Sequence, residues 1–164
     1  MATIKQRITN CLWFDSEAEE AAKFYTSIFR NSSIGRLTRF GKEGFEFHGK
    51  PEGSVMTVSF YLDGQEFMGL NGGPIFKFNE AMSLVVNCHD QAEIDHYWYK
   101  LTEGGAESQC GWLKDKFGVS WQVVPISWID MMNSPDKTRT NKVLEKVFQM
   151  KKFQLDVLEK AFNG

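Results

Sequence analysis

An α+β fold made of two copies of one strand-helix-strand-strand-strand (βαβββ) module is predicted by three observations. The first is a half-length echo: Phe14-Asp15-Ser16-Glu17-Ala18-Glu19-Glu20-Ala21-Ala22-Lys23-Phe24-Tyr25 has a degenerate copy in Cys88-His89-Asp90-Gln91-Ala92-Glu93-Ile94-Asp95-His96-Tyr97-Trp98-Tyr99. The second is that each copy follows a short apolar stretch, Ile8 to Phe14 and Met82 to Cys88, so each reads as strand, acidic turn, helix. The third is that paired apolar runs follow each helix, joined by turn residues at Asp63-Gly64 and Gly118. A repeat of this size is a supersecondary unit, and one copy alone leaves half a core exposed. Pairing the copies predicts a curled mixed sheet with a concave cleft, the kind of place where small ligands bind.

The elements follow in order. Ile4 to Phe14 alternates loosely and is rich in β-branched and aromatic residues, which predicts a first strand. Asp15 or Ser16 suits the N-cap of the next helix, since a short side-chain oxygen accepts orphan N–H groups there, and Glu17, Glu19 and Glu20 complement the positive dipole end. Ala21, Phe24, Tyr25, Ile28 and Phe29 recur at helical spacing and form its apolar face. Asn31-Ser32-Ser33 and Gly35 interrupt, and Ile34 to Phe40 reads as a second strand. The Gly-rich arm over 41–53, around Phe45-Glu46-Phe47-His48, is expected to form a hairpin or flexible arm. Val55 to Leu62 and Gln65 to Leu70, joined by Asp63-Gly64, predict a tight type I′ hairpin.

The second half repeats this order. Ser83 to Cys88 reads as a strand, and Asp90 or Gln91 opens a helix whose buried face is Ile94, Tyr97, Trp98 and Leu101, ended by Gly104-Gly105. Trp112 to Phe117 and Val119 to Pro125 form the closing hairpin, and Pro135 to Phe162 has a helical pattern. The expected organisation is one domain over 1–164, with module one at about 4–74, module two at about 82–125 and a helical appendage at about 126–164.

Bulk properties narrow the function. With 164 residues, 42% hydrophobic, and 14 Phe, 5 Trp and 4 Tyr, the chain carries enough apolar surface for a core. Nineteen basic against 21 acidic residues leave a formal charge of -2, so no field concentrates phosphate backbones, and nucleic acid is not an expected partner. Cys11, Cys88 and Cys110 are an odd number at wide spacing, which fits small core residues in a reducing compartment. Without a signal-like start or a long apolar run, a cytoplasmic protein with no membrane partner is expected.

Familiar site motifs are absent: no Gly-rich phosphate loop, His-Glu-x-x-His, Cys-x-x-Cys or Gly-x-Ser-x-Gly. Glu93-x-x-His96, with His89 beside it, has the one-turn spacing of carboxylate-bridged metal sites, but a single pair without a second copy reads better as a solvated helix face. His48 has no neighbouring ligand in sequence. The basic residues Lys137, Arg139, Lys142, Lys146, Lys151 and Lys152, interrupted by Asp136 and Glu145, fit the polar face of an amphipathic helix. Trp13 and Trp121 lie on predicted strands, one face of which is expected to line the cleft.

Several ordered blocks carry a resemblance. They are Asn10-Cys11-Leu12-Trp13-Phe14-Asp15 with Ala18-Glu19-Glu20-Ala21 and Phe24-Tyr25, then Met68-Gly69-Leu70-Asn71-Gly72-Gly73-Pro74, Ser83 to Glu93, and Gly118-Val119-Ser120-Trp121-Gln122-Val123-Val124-Pro125. The chain resembles the PhnB-like branch of the glyoxalase/bleomycin resistance/dioxygenase superfamily, also called vicinal oxygen chelate proteins. That resemblance implies the paired βαβββ fold and a homodimer. In metal-dependent members, four ligands from four strands hold a divalent ion in the cleft. Carried over, those places fall on Asn10, on Gly69 with Asn71 nearby, on Ser83 or Leu84, and on Gln122. None is His, Asp, Glu or Cys, so neither a tightly held metal nor any other cofactor is expected. Asn10, Asn71, Ser83 and Gln122 are then expected to line the cleft and orient a polar small molecule, because amides and hydroxyls both donate and accept. No catalytic residue is assigned. A metal-dependent lyase, isomerase or dioxygenase with ligands elsewhere, such as His48, His89 or His96, and a non-catalytic dimeric scaffold are the alternatives. Some members of the branch carry a ubiquinone-pathway methyltransferase label, yet the chain lacks the Rossmann-like strand and Gly-rich turn that usually hold the methyl donor.

Overall fold

The computed structural model describes residues 6–164. It is α+β, with two four-stranded mixed sheets and six helices among the described residues. The chain divides into two compact units, one running to Lys77 and the other from Phe78 to Gly164.

Unit one is a βαβββ module: β1 (Asn10–Phe14), α1 (Ala18–Ile28), β2 (Ser33–Arg39), β3 (Val55–Leu62) and β4 (Gln65–Asn71), with a short helix α2 (Phe45–His48) between β2 and β3. The sheet order is β1-β4-β3-β2, with β1 parallel to β4 and the other pairs antiparallel. Side chains alternate across a strand, so every second residue shares a face. Leu12, Phe14, Val58, Phe60, Leu62 and Phe67 are buried on the face that α1 covers with Ala18, Ala21, Ala22, Tyr25 and Ile28. Gly69 permits the close approach there: an added Cβ would lie 3.0 Å from that of Ala18.

The Asp63-Gly64 turn forms as predicted, with Leu62 opposite Gln65 and both turn residues at positive φ, 47° and 79°. Three expectations need correction. Strand β1 begins at Asn10, so Gln6 to Thr9 are not strand, while Ile4 and Lys5 lie outside the described residues. Phe45-Glu46-Phe47-His48 is one helical turn bounded by left-handed Gly44 and Gly49, because glycine at both ends permits backbone that other residues resist. Neither Asp15 nor Ser16 caps α1. Its N-cap is Glu17, with no side-chain cap bond of its own, and the first-turn Ala18 N–H donates instead to Asn71 Oδ1 at 2.9 Å.

Unit two repeats the module with β5 (Leu84–Cys88), α3 (Gln91–Thr102), β6 (Ala106–Glu107), β7 (Trp112–Lys114) and β8 (Ser120–Pro125), in the order β5-β8-β7-β6. Here α3 starts on its own sequence: Asp90 Oδ1 accepts from Glu93 N–H at 2.9 Å while Glu93 Oε2 accepts from His89 N–H at 2.8 Å. Ile94, Trp98 and Leu101 are buried as expected, and Tyr97 is half-buried. Strand β6 has two residues, too few to carry a periodicity in the sequence. The helical pattern over Pro135 to Phe162 is two helices, α5 (Lys137–Val147) and α6 (Leu155–Asn163), preceded by α4 (Ile126–Met132). The expectation that all cysteines are core residues holds for Cys88 alone: Cys110 is half-buried and Cys11 is exposed. Burial pushes the Cys88 thiol up to about 12, helped by the nearby carboxylates of Glu93 and Asp90.

Candidate binding site

The β7–β8 turn fixes one end of the site. Asp115, 3% exposed, accepts from Phe117 and Val119 N–H through Oδ1 and from the Trp121 indole through Oδ2 at 2.8 Å. Gly118, at φ 86°, completes the turn. Burying that carboxylate is tolerable because three N–H donors satisfy it. The turn in turn sets the register Lys114↔Ser120, Leu113↔Trp121 and Trp112↔Gln122.

Register and alternation sort these side chains. Leu113, Trp121 and Val123 are buried on the α3 side. Trp112, Lys114, Ser120 and Gln122 belong to the opposite face, joined by Ala106, which lies across from Lys114. A cavity of about 410 Å³ opens beside them, lined by Glu80, Ala106, Glu107, Ser108, Trp112, Leu113, Lys114 and Ser120. That volume falls within the range of small-ligand pockets.

Three polar features mark the cavity. Lys114 Nζ pairs with Glu80 Oε1 at 2.5 Å, and that hydrogen bond holds the Glu80 carboxyl below the usual carboxylate range. Glu107 is also held low, first by the indole N–H of Trp98 at 3.1 Å and then by Lys151 at 3.4 Å. Ser120 is 1% exposed, and its Oγ has no hydrogen-bond partner. Such a hydroxyl is costly, since it has lost water without gaining a partner. With no base bonded to it, Ser120 is not arranged as a nucleophile.

The four sequence candidates separate. Ser83 and Gln122 meet: Gln122 Nε2 donates to Ser83 Oγ at 2.8 Å, and Gln122 sits two residues from Ser120 on the same face of β8. Asn10 and Asn71 do not meet. They lie opposite Phe67 and Phe14 respectively, at the two ends of the β1–β4 ladder, and alternation puts both on the α1 face. Asn71 is 5% exposed and its amide is engaged at both the oxygen and the nitrogen, accepting from Ala18 N–H and donating to Val55 C=O at 3.0 Å. Trp13 occupies the opposite face of β1, with its indole donating to Gly73 C=O at 2.8 Å, while Trp121 is buried on the α3 face rather than on the face away from α3.

The carried-over ligand places do not fit a divalent cation. They comprise one committed amide, a glycine, a neutral Gln–Ser pair and a lone Asn, none supplying charge or imidazole. The other histidines are differently engaged: His48 Nδ1 accepts from Lys50 N–H at 2.9 Å, and the Glu93 carboxylate beside His89 and His96 is spent on the α3 cap. Among the described residues no group of three or more His, Cys, Asp or Glu converges in a metal-holding arrangement. The basic run is equally occupied in part, with Arg139 on Asp136 at 3.3 Å and Lys152 on Asp95. Ser120, Lys114 and Glu80 are the site residues that sequence reasoning missed. Ser120 was visible only as a member of the Gly118 to Pro125 block. No helix among the described residues is long and apolar enough to cross a membrane.

The family model described as 3-demethylubiquinone-9 3-methyltransferase matches residues 6–124. Among solved structures, the chain is similar to a putative 3-demethylubiquinone-9 3-methyltransferase, the PhnB protein from Bacillus cereus, with 40% identity and a TM-score of 0.65 over 73% of this chain and 99% of that one. Protein PA1353 from Pseudomonas aeruginosa shares the fold, with 20% identity and a TM-score of 0.59 over 74% of this chain and 98% of that one. A glyoxylase/bleomycin resistance protein/dioxygenase domain from Frankia sp. EAN1pec aligns at 12% identity and a TM-score of 0.47 over 73% and 91% of the two chains. No curated protein matches the chain. The match to the family model and the 40% identity over nearly the whole PhnB chain show that this protein belongs to the family described as 3-demethylubiquinone-9 3-methyltransferase, alongside the PhnB protein.

Proposed function

We propose that this protein binds a small molecule beside β7 and β8 of unit two, without a tightly held metal or other cofactor. The observation that carries the reading is the orphaned Ser120 hydroxyl in a cavity of about 410 Å³. A buried donor without a partner is a standing cost, and a ligand oxygen relieves it. Trp112 supplies an aromatic surface in the lining, and the Gln122–Ser83 pair, outside that lining, lies two residues along β8 from Ser120 on the same face. Recognition suits these groups better than acid or base chemistry near neutral pH. A methyl-transfer reading, which the family description invites, needs a seat for a methyl donor, and the βαβββ modules offer none of the Gly-rich strand-to-helix turns that usually provide it. Exposed Phe45, Phe47, Ile75 and Phe76 in unit one support a homodimer as part of the proposal, and the free cysteines support a cytoplasmic setting.

The test is a ligand-observed NMR screen over metabolite classes, on wild type and on Ala106→Trp, which puts an indole at the cavity from an exposed position. Compounds that bind wild type and lose the variant support the site. Compounds binding both equally remove it, and stoichiometric metal in protein purified without chelator overturns the metal-free part.

A further inference from the structure

We propose that the cavity of unit two selects a small molecule with an oxyanion on an apolar body, the oxyanion taking the place of Glu80 on Lys114. This rests on the reading of the cavity as a ligand site. Lys114 is the one cation among the residues that line it. It is also the cross-strand partner of Ser120, and opposite residues on one face of an antiparallel pair have Cβ atoms about 4.5–5.5 Å apart. The Lys114 and Ser120 side chains therefore leave the sheet as neighbours on one face, one carrying an ammonium and the other an unmet hydroxyl, the two kinds of donor that an anionic oxygen takes.

Glu80 already supplies such an oxygen to Lys114, though from a replaceable position. It lies in the turn ahead of β5, outside any strand or helix, and its side chain is 62% exposed. An exposed ion pair held by one turn residue contributes little, so one carboxylate can be exchanged for another at small cost. Glu80 does not satisfy Ser120, whose Oγ has no partner. An entering oxyanion reaches both donors, and that second bond is its advantage over Glu80. The rest of the ligand meets an apolar wall: Trp112 lies two residues along β7 on the same face, and Ala106 lies across from Lys114 on β6.

The experiment is calorimetric titration with benzoate, phenyl phosphate and neutral benzamide, on wild type, Glu80→Gln, Ser120→Ala and Lys114→Met. Benzoate or phenyl phosphate is expected to bind about tenfold or more tighter than benzamide, and whichever is tighter identifies the carboxylate or phosphate source. Glu80→Gln removes the competitor and is expected to tighten anion binding by about threefold while leaving benzamide unchanged. Ser120→Ala weakens the anions, and Lys114→Met erases their preference. A purely structural role for Glu80 gives no tightening, and that result overturns the exchange. Equal binding of benzamide and the anions overturns the oxyanion while the small-molecule reading stands. No binding by any of the three, with no compound lost in Ala106→Trp, removes both.

Discussion

The two modules share one architecture, yet they hold their helices and turns by different means. Helix α3 starts on a reciprocal cap made by Asp90 and Glu93, all within five residues of chain. Helix α1 starts on Asn71, 53 residues away at the end of β4. The second and third strands of each module differ as well: β2 and β3 have seven and eight residues, whereas β6 and β7 have two and three. Module one thus has long paired strands and needs a distant residue to seat its helix. Module two seats its helix locally and gives up strand length, which leaves the β7–β8 turn to a buried carboxylate and opens a cavity beside it. Duplication preserved the topology and let the stabilising contacts diverge.

The largest expected effect is at that turn. Asp115→Ala strands the Phe117, Val119 and Trp121 N–H groups, two of them in buried surroundings, and is expected to cost about 3–5 kcal/mol in urea unfolding. Module one has no equivalent, because Asp63-Gly64 closes its β3–β4 turn through backbone conformation. If Asp115→Ala costs less than about 1 kcal/mol, the short second hairpin does not depend on the carboxylate, and the contrast between the modules loses its strongest support.

Next come the caps, where the contrast is between a local and a distant contact. Asn71→Ala removes the α1 cap and the bond to Val55 C=O together, for an expected loss of about 2–3 kcal/mol. Asp90→Ala leaves a solvent-accessible helix start and is expected to cost about 1 kcal/mol. Amide hydrogen exchange sharpens the comparison. Asn71→Ala should accelerate exchange in α1 and in β3 together, whereas Asp90→Ala should affect α3 alone. Confinement of the Asn71→Ala effect to α1 would show that its bond to Val55 is immaterial.

These contrasts explain what could be read from the chain. The strand and helix positions were legible because they rest on local signals: alternation in Val55 to Leu62, helical spacing in Ala21, Tyr25 and Ile28, and the Asp63-Gly64 turn. The Asp90 cap was legible for the same reason. The α1 cap was not, since Asp15 and Ser16 satisfy every local criterion and the winning oxygen belongs to a residue 53 positions on. Site residues fail in a parallel way. Strand resemblance to the family points to Asn10 and Asn71, but a binding role also needs the correct face, and parity puts both against α1. Ser83 and Gln122 do meet, because their strands pair as the repeat requires. Ser120 looks like any strand serine in sequence. Its significance comes from having no partner, which only three-dimensional surroundings reveal.

The smallest expected effect concerns the tail that only unit two carries. After α5, Lys152 pairs with Asp95 of α3 and with the Tyr99 hydroxyl at 3.0 Å, while Gln91 donates to Phe153 C=O at 3.1 Å and accepts from Leu155 N–H at 2.9 Å. The hydrogen bond from Lys152 holds the Asp95 carboxyl below its usual range, and Gln91 adds to it. A folded value lower than the unfolded one means that this carboxylate adds stability above the ordinary Asp range, and that the contribution disappears as pH falls through the lowered folded value. With the Asp95 side chain 41% exposed, solvent screening limits the gain to less than about 1 kcal/mol. Asp95→Asn should therefore lower the urea midpoint slightly at neutral pH and match wild type once the medium is acid enough to protonate Asp95. The Gln91 bonds remain in both proteins, so the tail stays docked throughout. A midpoint difference that persists unchanged into acid would assign the effect to packing of the tail, and the added clasp of unit two would then owe nothing to this charge.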